Sequence, residues 1–177
     1  DGSGDGDLLV VSGDLGAAYM GLQILEREKT VYEAAPTAQP ELADFAYLLE
    51  RQLKPEARVD VVREMGDLGL KPTSMIDISD GLSSEIMHLG TASGVGFKVY
   101  EDKLPIDPKV YDTAREFNLD PTLCMLSGGE DYELLFTVKQ DDYEKVRNHP
   151  KLSVIGHAVA APDAFTMVTK NLSLIHI

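Results

Sequence analysis

Two acidic segments carry the chemistry that this chain could perform. In Met75-Ile76-Asp77-Ile78-Ser79-Asp80-Gly81-Leu82, two aspartates three residues apart sit where an apolar run gives way to helical spacing. At a strand–turn–helix corner their oxygens can converge on one cation, while the first-turn amides of the helix favour an anion such as a phosphate. Carboxylate for metal and bare amides for phosphate are what a metal–nucleotide site requires. A plainer reading makes Ser79 or Asp80 a helix N-cap and Asp77 a solvated end-of-strand residue. The second segment is Leu126-Ser127-Gly128-Gly129-Glu130-Asp131-Tyr132-Glu133-Leu134. Its paired glycines let a ligand approach the main chain closely. Its three acids within four residues are costly to pack together without a partner, which a bound cationic or hydrogen-bond-donating substrate would supply. Here the plainer reading is an acidic hairpin loop turned by its glycines.

Weaker candidates surround these two. Gly13-Asp14-Leu15-Gly16 follows one apolar run and opens a helical one, yet it carries neither a dinucleotide fingerprint nor a Walker lysine. Asp1, Ser3, Asp5 and Gly6 have calcium-loop offsets, but Ser12 stands where a bidentate glutamate is needed. His88, His149, His157 and His176 show no ligand spacing, and no serine sits in a nucleophile elbow. Cys124, the single cysteine, lies in an apolar stretch and reads as core.

The elements that must position these residues interleave. Leu8 to Ser12, Ser74 to Ile78, Val95 to Tyr100, Tyr132 to Val138, Val154 to Ala160 and Phe165 to Thr169 read as strands. Helical spacing follows Gly16, recurs at Leu42 to Leu53, Val59 to Met65, Leu82 to Leu89 and within Pro105 to Asn118, and marks a polar helix at Asp141 to Asn148. Pro36 to Pro40 reads as a connector. The class is therefore α/β, or closely mixed α+β. The expected organisation is a flexible leader over 1–7, one domain over 8–170, and a truncated or non-native tail over 171–177. That tail, ending Leu172-Ser173-Leu174-Ile175-His176-Ile177, matches a conceptual translation of a sequencing adapter; the alternative is a genuine apolar strand. At 177 residues with 44% hydrophobic content the chain can bury a real core, and no apolar run reaches the length of a membrane span. A formal net charge of −14, without a basic cluster, disfavours nucleic acid and anionic lipid as partners. One cysteine and no visible secretory signal make the cytoplasm the expected compartment.

Taken in order, Val11-Ser12-Gly13-Asp14-Leu15-Gly16, Asp77-Ile78-Ser79-Asp80-Gly81-Leu82 and Ser127-Gly128-Gly129-Glu130-Asp131-Tyr132-Glu133-Leu134 resemble the C-terminal half of thiamine-monophosphate kinase. That family belongs to the superfamily of aminoimidazole ribonucleotide synthetase and selenophosphate synthetase. The resemblance runs from about Leu8 to about Ala160 and implies a mixed sheet covered by helices, like the synthetase C-terminal domain. It also implies transfer of the ATP γ-phosphoryl group to thiamine monophosphate, with Mg2+ as cofactor. On this mapping Asp77 and Asp80 are magnesium ligands, Ser79 touches ATP, and Glu130 contacts the thiamine moiety; no protein nucleophile is implied. The family's N-terminal domain, which supplies most metal carboxylates and the homodimer core, is not represented, so the isolated chain is expected to be inactive. Two rivals remain open: another ATP-dependent enzyme of the superfamily, and a non-catalytic acidic interaction domain.

Overall fold

A computed structural model describes residues 2–37, 39–40 and 42–177. Asp1 of the leader and Ala38 of the 36–40 connector lie outside the described residues. The strands are β1 (Leu8–Ser12), β2 (Ser74–Asp77), β3 (Gly96–Tyr100), β4 (Leu134–Val138), β5 (Leu152–Val159), β6 (Phe165–Val168) and β7 (Leu174–His176). The helices are α1 (Ala17–Ala34), α2 (Ala46–Leu53), α3 (Val59–Asp67), α4 (Leu82–Ser93), α5 (Pro108–Glu116), α6 (Pro121–Ser127) and α7 (Tyr143–Val146). The strands form one sheet in the order β2-β4-β1-β5-β3-β6-β7. Every pairing is antiparallel except β3 with β6. This is the mixed, helix-covered sheet that the resemblance implies, within the α/β class that the interleaved pattern indicates.

The apolar run of β1 is continuous because both of its faces are covered. Leu9 and Val11 join Leu135 and Ile155 beneath Leu82, Ile86 and Leu89 of α4 and Leu126 of α6. Val10 turns the other way, with Phe136 and Val138, onto Val61 and Met65 of α3 and Val146 of α7. A third cluster, beside the sheet, packs Met20 and Ile24 of α1 against Leu48 of α2, Val110 of α5 and Cys124 of α6. Each fully buried aliphatic or aromatic side chain contributes roughly 1.5–3 kcal/mol before the entropy of ordering it.

Three segments depart from the reading of the sequence. Residues 3–7, expected as a flexible leader, are tied to the sheet. The Ser3 hydroxyl is buried against the Ser74 and Thr137 hydroxyls. The buried Asp7 carboxylate accepts from Lys139 Nζ at 2.8 Å and Thr73 Oγ1 at 2.8 Å. Residues 121–127, taken only as an apolar stretch, form α6, whose start is capped by Asp120 accepting from the Thr122 amide at 2.8 Å. The polar helix at 141–148 is a 3-10 turn (Gln140–Asp142) followed by the single turn of α7. At the other end, β7 pairs antiparallel with β6 as an exposed edge strand. Among the described residues no helix is long and apolar enough to cross a membrane.

Candidate functional site

Topology brings the two acidic segments together. β4 lies between β2 and β1 and runs antiparallel to both. The residues after β1 (13–16), after β2 (78–81) and before β4 (127–133) therefore emerge side by side at one end of the sheet. The contact between the last two is stitched through the main chain. Ile78 N donates to the Glu133 carbonyl at 2.8 Å, Tyr132 N to the Ile78 carbonyl at 2.9 Å, and Glu130 N to the Ser79 carbonyl at 2.7 Å.

Two glycines make that approach possible. Gly129 has φ +67°, and a Cβ on it would stand 2.7 Å from the Ser79 carbonyl oxygen. Gly81, at φ +111°, would place a Cβ 2.8 Å from the Leu126 carbonyl oxygen. Any larger residue would force the segments apart. Asp77, Ser79, Asp80 and Glu130 thus share one patch of surface, although some fifty residues separate the motifs. Tyr132 joins them. Its phenol donates to Glu130 Oε2 at 3.0 Å, and that bond, with the nearby Glu130, Asp77 and Asp80 charges, raises its pKa.

The plainer reading of the first motif, an ordinary side-chain cap, is not what the corner contains. Gly81 occupies the N-cap position of α4, with no side-chain capping bond. Buried Glu85 of α4 instead reaches back, accepting from the Asp80 amide at 3.1 Å and Ser79 Oγ at 3.3 Å. Asp77 and Asp80 stay exposed, with no hydrogen bond or ion pair from their carboxylates to another described residue. Hard carboxylate oxygens suit Mg2+, which takes one or two carboxylates and completes its shell with water and phosphate oxygens. Among the described residues no group of three or more His, Cys, Asp or Glu could hold a metal alone. The pair fits a share of a metal site, not a whole one.

The other two acids of the second motif face inward. Asp131 is 4% exposed and Glu133 1%. The Asp131 carboxylate accepts from the Gly16 amide at 2.7 Å and the Ala18 amide at 3.2 Å, so it sits on the N-terminus of α1. Glu133 accepts from Arg58 Nη1 at 2.8 Å and pairs with Arg51 Nη2 at 3.0 Å, with the Ser12 hydroxyl on its second oxygen. Asp14 accepts from the Tyr47 phenol at 2.6 Å. The requirement for a partner to three crowded acids was legible in the sequence. Its solution for two of them is internal: the α1 amides for Asp131, and Arg51 and Arg58 for Glu133.

Burial dominates the electrostatics of this inner cluster. It pushes the Asp131 carboxyl up to about 6, against the opposing pull of the Gly16 and Ala18 amides. It also raises Asp14, in spite of the Tyr47 bond. For Arg51 the ranking reverses in effect: burial disfavours its charge, but Glu133 together with the other negative neighbours holds it more firmly protonated. A hollow of about 500 Å³ opens beside the cluster, lined by Asp14, Tyr47, Arg51, Arg58, Asp107 and Lys151 among others. Arg51, Arg58 and Tyr47 carry no motif of their own. Their only signal was basic and aromatic residues set among the apolar helical spacing of an acidic chain.

With this geometry in place, comparison with known proteins gives a consistent result. The model of the AIR synthase related protein, C-terminal domain, matches residues 4–168. The chain belongs to that family. Within the family it is 38% identical over 137 residues to a thiamine-monophosphate kinase of Aquifex aeolicus, a match covering 77% of this chain and 41% of the relative. It is 34% identical over 142 residues to the thiamine-monophosphate kinase of Escherichia coli, covering 78% and 39%. A structure of AaThiL complexed with AMPPCP and TMP superposes with a TM-score of 0.78 at 28% identity, over all of this chain and 50% of that one. The Escherichia coli hydrogenase maturation protein HypE has the same fold (TM-score 0.69, 18% identity, 98% of this chain and 50% of that one). The chain spans about two-fifths of the length of the curated relatives it matches and half of the solved chains.

Proposed function

We propose that this chain is the C-terminal half of a thiamine-monophosphate kinase, which transfers the γ-phosphoryl group of ATP to thiamine monophosphate and releases thiamine diphosphate and ADP. The observation that carries the reading is the single patch formed by Asp77, Ser79, Asp80 and Glu130, stitched together through the 78–79 and 130–133 main chain. The similarity to thiamine-monophosphate kinases supports it.

In this reading the exposed Asp77 and Asp80 hold Mg2+, Ser79 meets the nucleotide, and Glu130 meets the cationic thiamine moiety. Mg2+ supplies screening of the phosphate oxygens, since attacking and leaving groups are both anionic. The chain's own part is positioning. An acceptor phosphate oxygen forms a bond to the γ-phosphorus as the bond to the β-phosphate oxygen breaks, and that exchange needs in-line alignment rather than a protein nucleophile. As the family resemblance implies, an N-terminal half brings most of the metal carboxylates and forms the homodimer core; the enzyme acts in the cytoplasm.

The test is phosphoryl transfer from radiolabelled ATP in the full-length protein carrying this chain. Thiamine monophosphate is expected to be labelled in preference to a ribonucleotide or selenide acceptor. Asp77→Asn and Glu130→Gln are expected each to lower the rate roughly a hundredfold or more with the fold intact. The chain alone is expected to make no thiamine diphosphate. Full activity in both variants would instead favour an acidic interaction domain.

A further inference from the structure

The segment that carries Glu130 is held in an unfavourable backbone conformation. Glu130 has φ +62° and Tyr132 φ +50°, so two non-glycine residues out of three are left-handed. Crowding of Cβ against the following carbonyl disfavours each, and such residues persist only where their surroundings over-determine them. The same conformation makes the side chains alternate: Glu130 and Tyr132 outward, Asp131 and Glu133 inward. What holds the inward pair therefore aims the outward pair.

Arg51 is placed to do this. Its Nη2 donates to the Asp131 carbonyl at 3.1 Å and pairs with Glu133 Oε1 at 3.0 Å, and it reaches the Asp14 carbonyl at 3.4 Å. One planar guanidinium thus grips the main chain at one residue and the carboxylate two residues on. Arg58, by contrast, meets this segment at the Glu133 carboxylate. Arg51 keeps this orientation although its Nε is buried without a hydrogen-bond partner among the described residues. Buried donors are ordinarily met, so the contacts of Nη2 outweigh that loss. All of these contacts come from the one Nη2 nitrogen, so a lysine would keep the charge but carry it on a flexible stem instead of a planar group fixed beside both partners.

We propose that Arg51 is a positioning residue: by gripping the Asp131 carbonyl and the Glu133 carboxylate, it keeps residues 130 and 132 left-handed and Glu130 and Tyr132 turned toward the 77–80 corner. The significance of Glu130 rests on the kinase reading, but the backbone role does not.

Nuclear magnetic resonance on this chain tests it with two readouts. The first is hydrogen exchange of the Glu130 and Tyr132 amides, which bond to the Ser79 and Ile78 carbonyls. The second is the ionisation midpoint of the Tyr132 phenol, which its bond to Glu130 raises. In Arg51→Met both amides are expected to exchange at least roughly tenfold faster while β3 and β5 keep wild-type rates. The Tyr132 midpoint is expected to fall toward that of a free tyrosine. Arg51→Lys is expected to recover part of both effects, and Arg58→Met to produce less than Arg51→Met. Unchanged readouts in Arg51→Met, uniform acceleration across the sheet, or an equal effect of Arg58→Met would each overturn the proposal. Should the methionine variant fail to fold, the lysine variant decides: shifts in both readouts support the role, and wild-type values overturn it. None of these measurements involves catalysis, so their failure leaves the kinase reading standing and its failure leaves them unaffected.

Discussion

The five-residue stretch around Asp131 shows one residue type doing two opposite jobs. Glu130 is exposed, as are Asp77 and Asp80 across the corner, and none of these three carboxylates forms an ion pair with a described residue. Asp131 and Glu133 are buried and answered by helix amides and guanidinium groups. The outward row keeps its charge available to something else; the inward row uses its carboxylate oxygens to hold the chain, Glu133 through ion pairs and Asp131 through hydrogen bonds from helix amides. Stability and function should therefore separate between the rows, and that separation can be broken in stages.

The largest effect is expected at Glu133. Glu133→Ala leaves Arg51 and Arg58 without their shared counter-ion in a buried setting, and should cost about 3–5 kcal/mol in urea unfolding. A loss under about 1 kcal/mol would mean the inner cluster is not structural. Asp131 comes next, through pH. Because burial raises its folded-state pKa to about 6, its contribution to stability is fully present below the unfolded value near 3.8 and is lost as pH rises through 6. Asp131→Asn has no such loss, so wild-type stability relative to this variant should fall by roughly 2–3 kcal/mol between pH 4 and pH 7. Urea midpoints measured across that range check it; a parallel pair of curves contradicts it.

Gly129→Ala is smaller. The added methyl meets the Ser79 carbonyl and the backbone stays left-handed, so about 1–3 kcal/mol should be lost in thermal unfolding, with the 78–133 contact loosened. Asp80→Asn should change stability by less than about 0.5 kcal/mol, since its carboxylate makes no hydrogen bond or ion pair with a described residue. A large loss there would place Asp80 in the inner row and erase the contrast.

The outward row was easier to read than the inward one for a physical reason. Asp77, Ser79, Asp80 and Glu130 lie in short motifs whose glycines announce unusual backbone, and periodicity alone locates the strands beside them. Arg51, Arg58 and Tyr47 acquire their meaning only when α2 and the start of α3 are laid over the end of β1, a contact no local pattern encodes. The missed helix α6 is a different case. Asp120-Pro121 repeats the cap-and-proline start of Asp107-Pro108, where the Asp107 carboxylate accepts from the Lys109 amide at 2.7 Å. That signal was present and was outweighed by the short apolar run after it. The leader misled because Ser3, Thr73, Ser74 and Thr137 satisfy one another as hydroxyls, a cluster with no hydrophobic signature.

The position of β4 carries a consequence for biosynthesis. It is the fourth strand to be made, yet it slots between the first two, and every bond that joins the 78–81 corner to its neighbour comes from residues 130–133. A nascent chain that ends before residue 134 holds neither partner of β1, since β4 and β5 both come later, and leaves β2 with no partner at all. Through that interval the chain displays unpaired strand edges of the kind that invite wrong partners. The insertion of β4 that joins β1 to β2 is the same event that creates the patch.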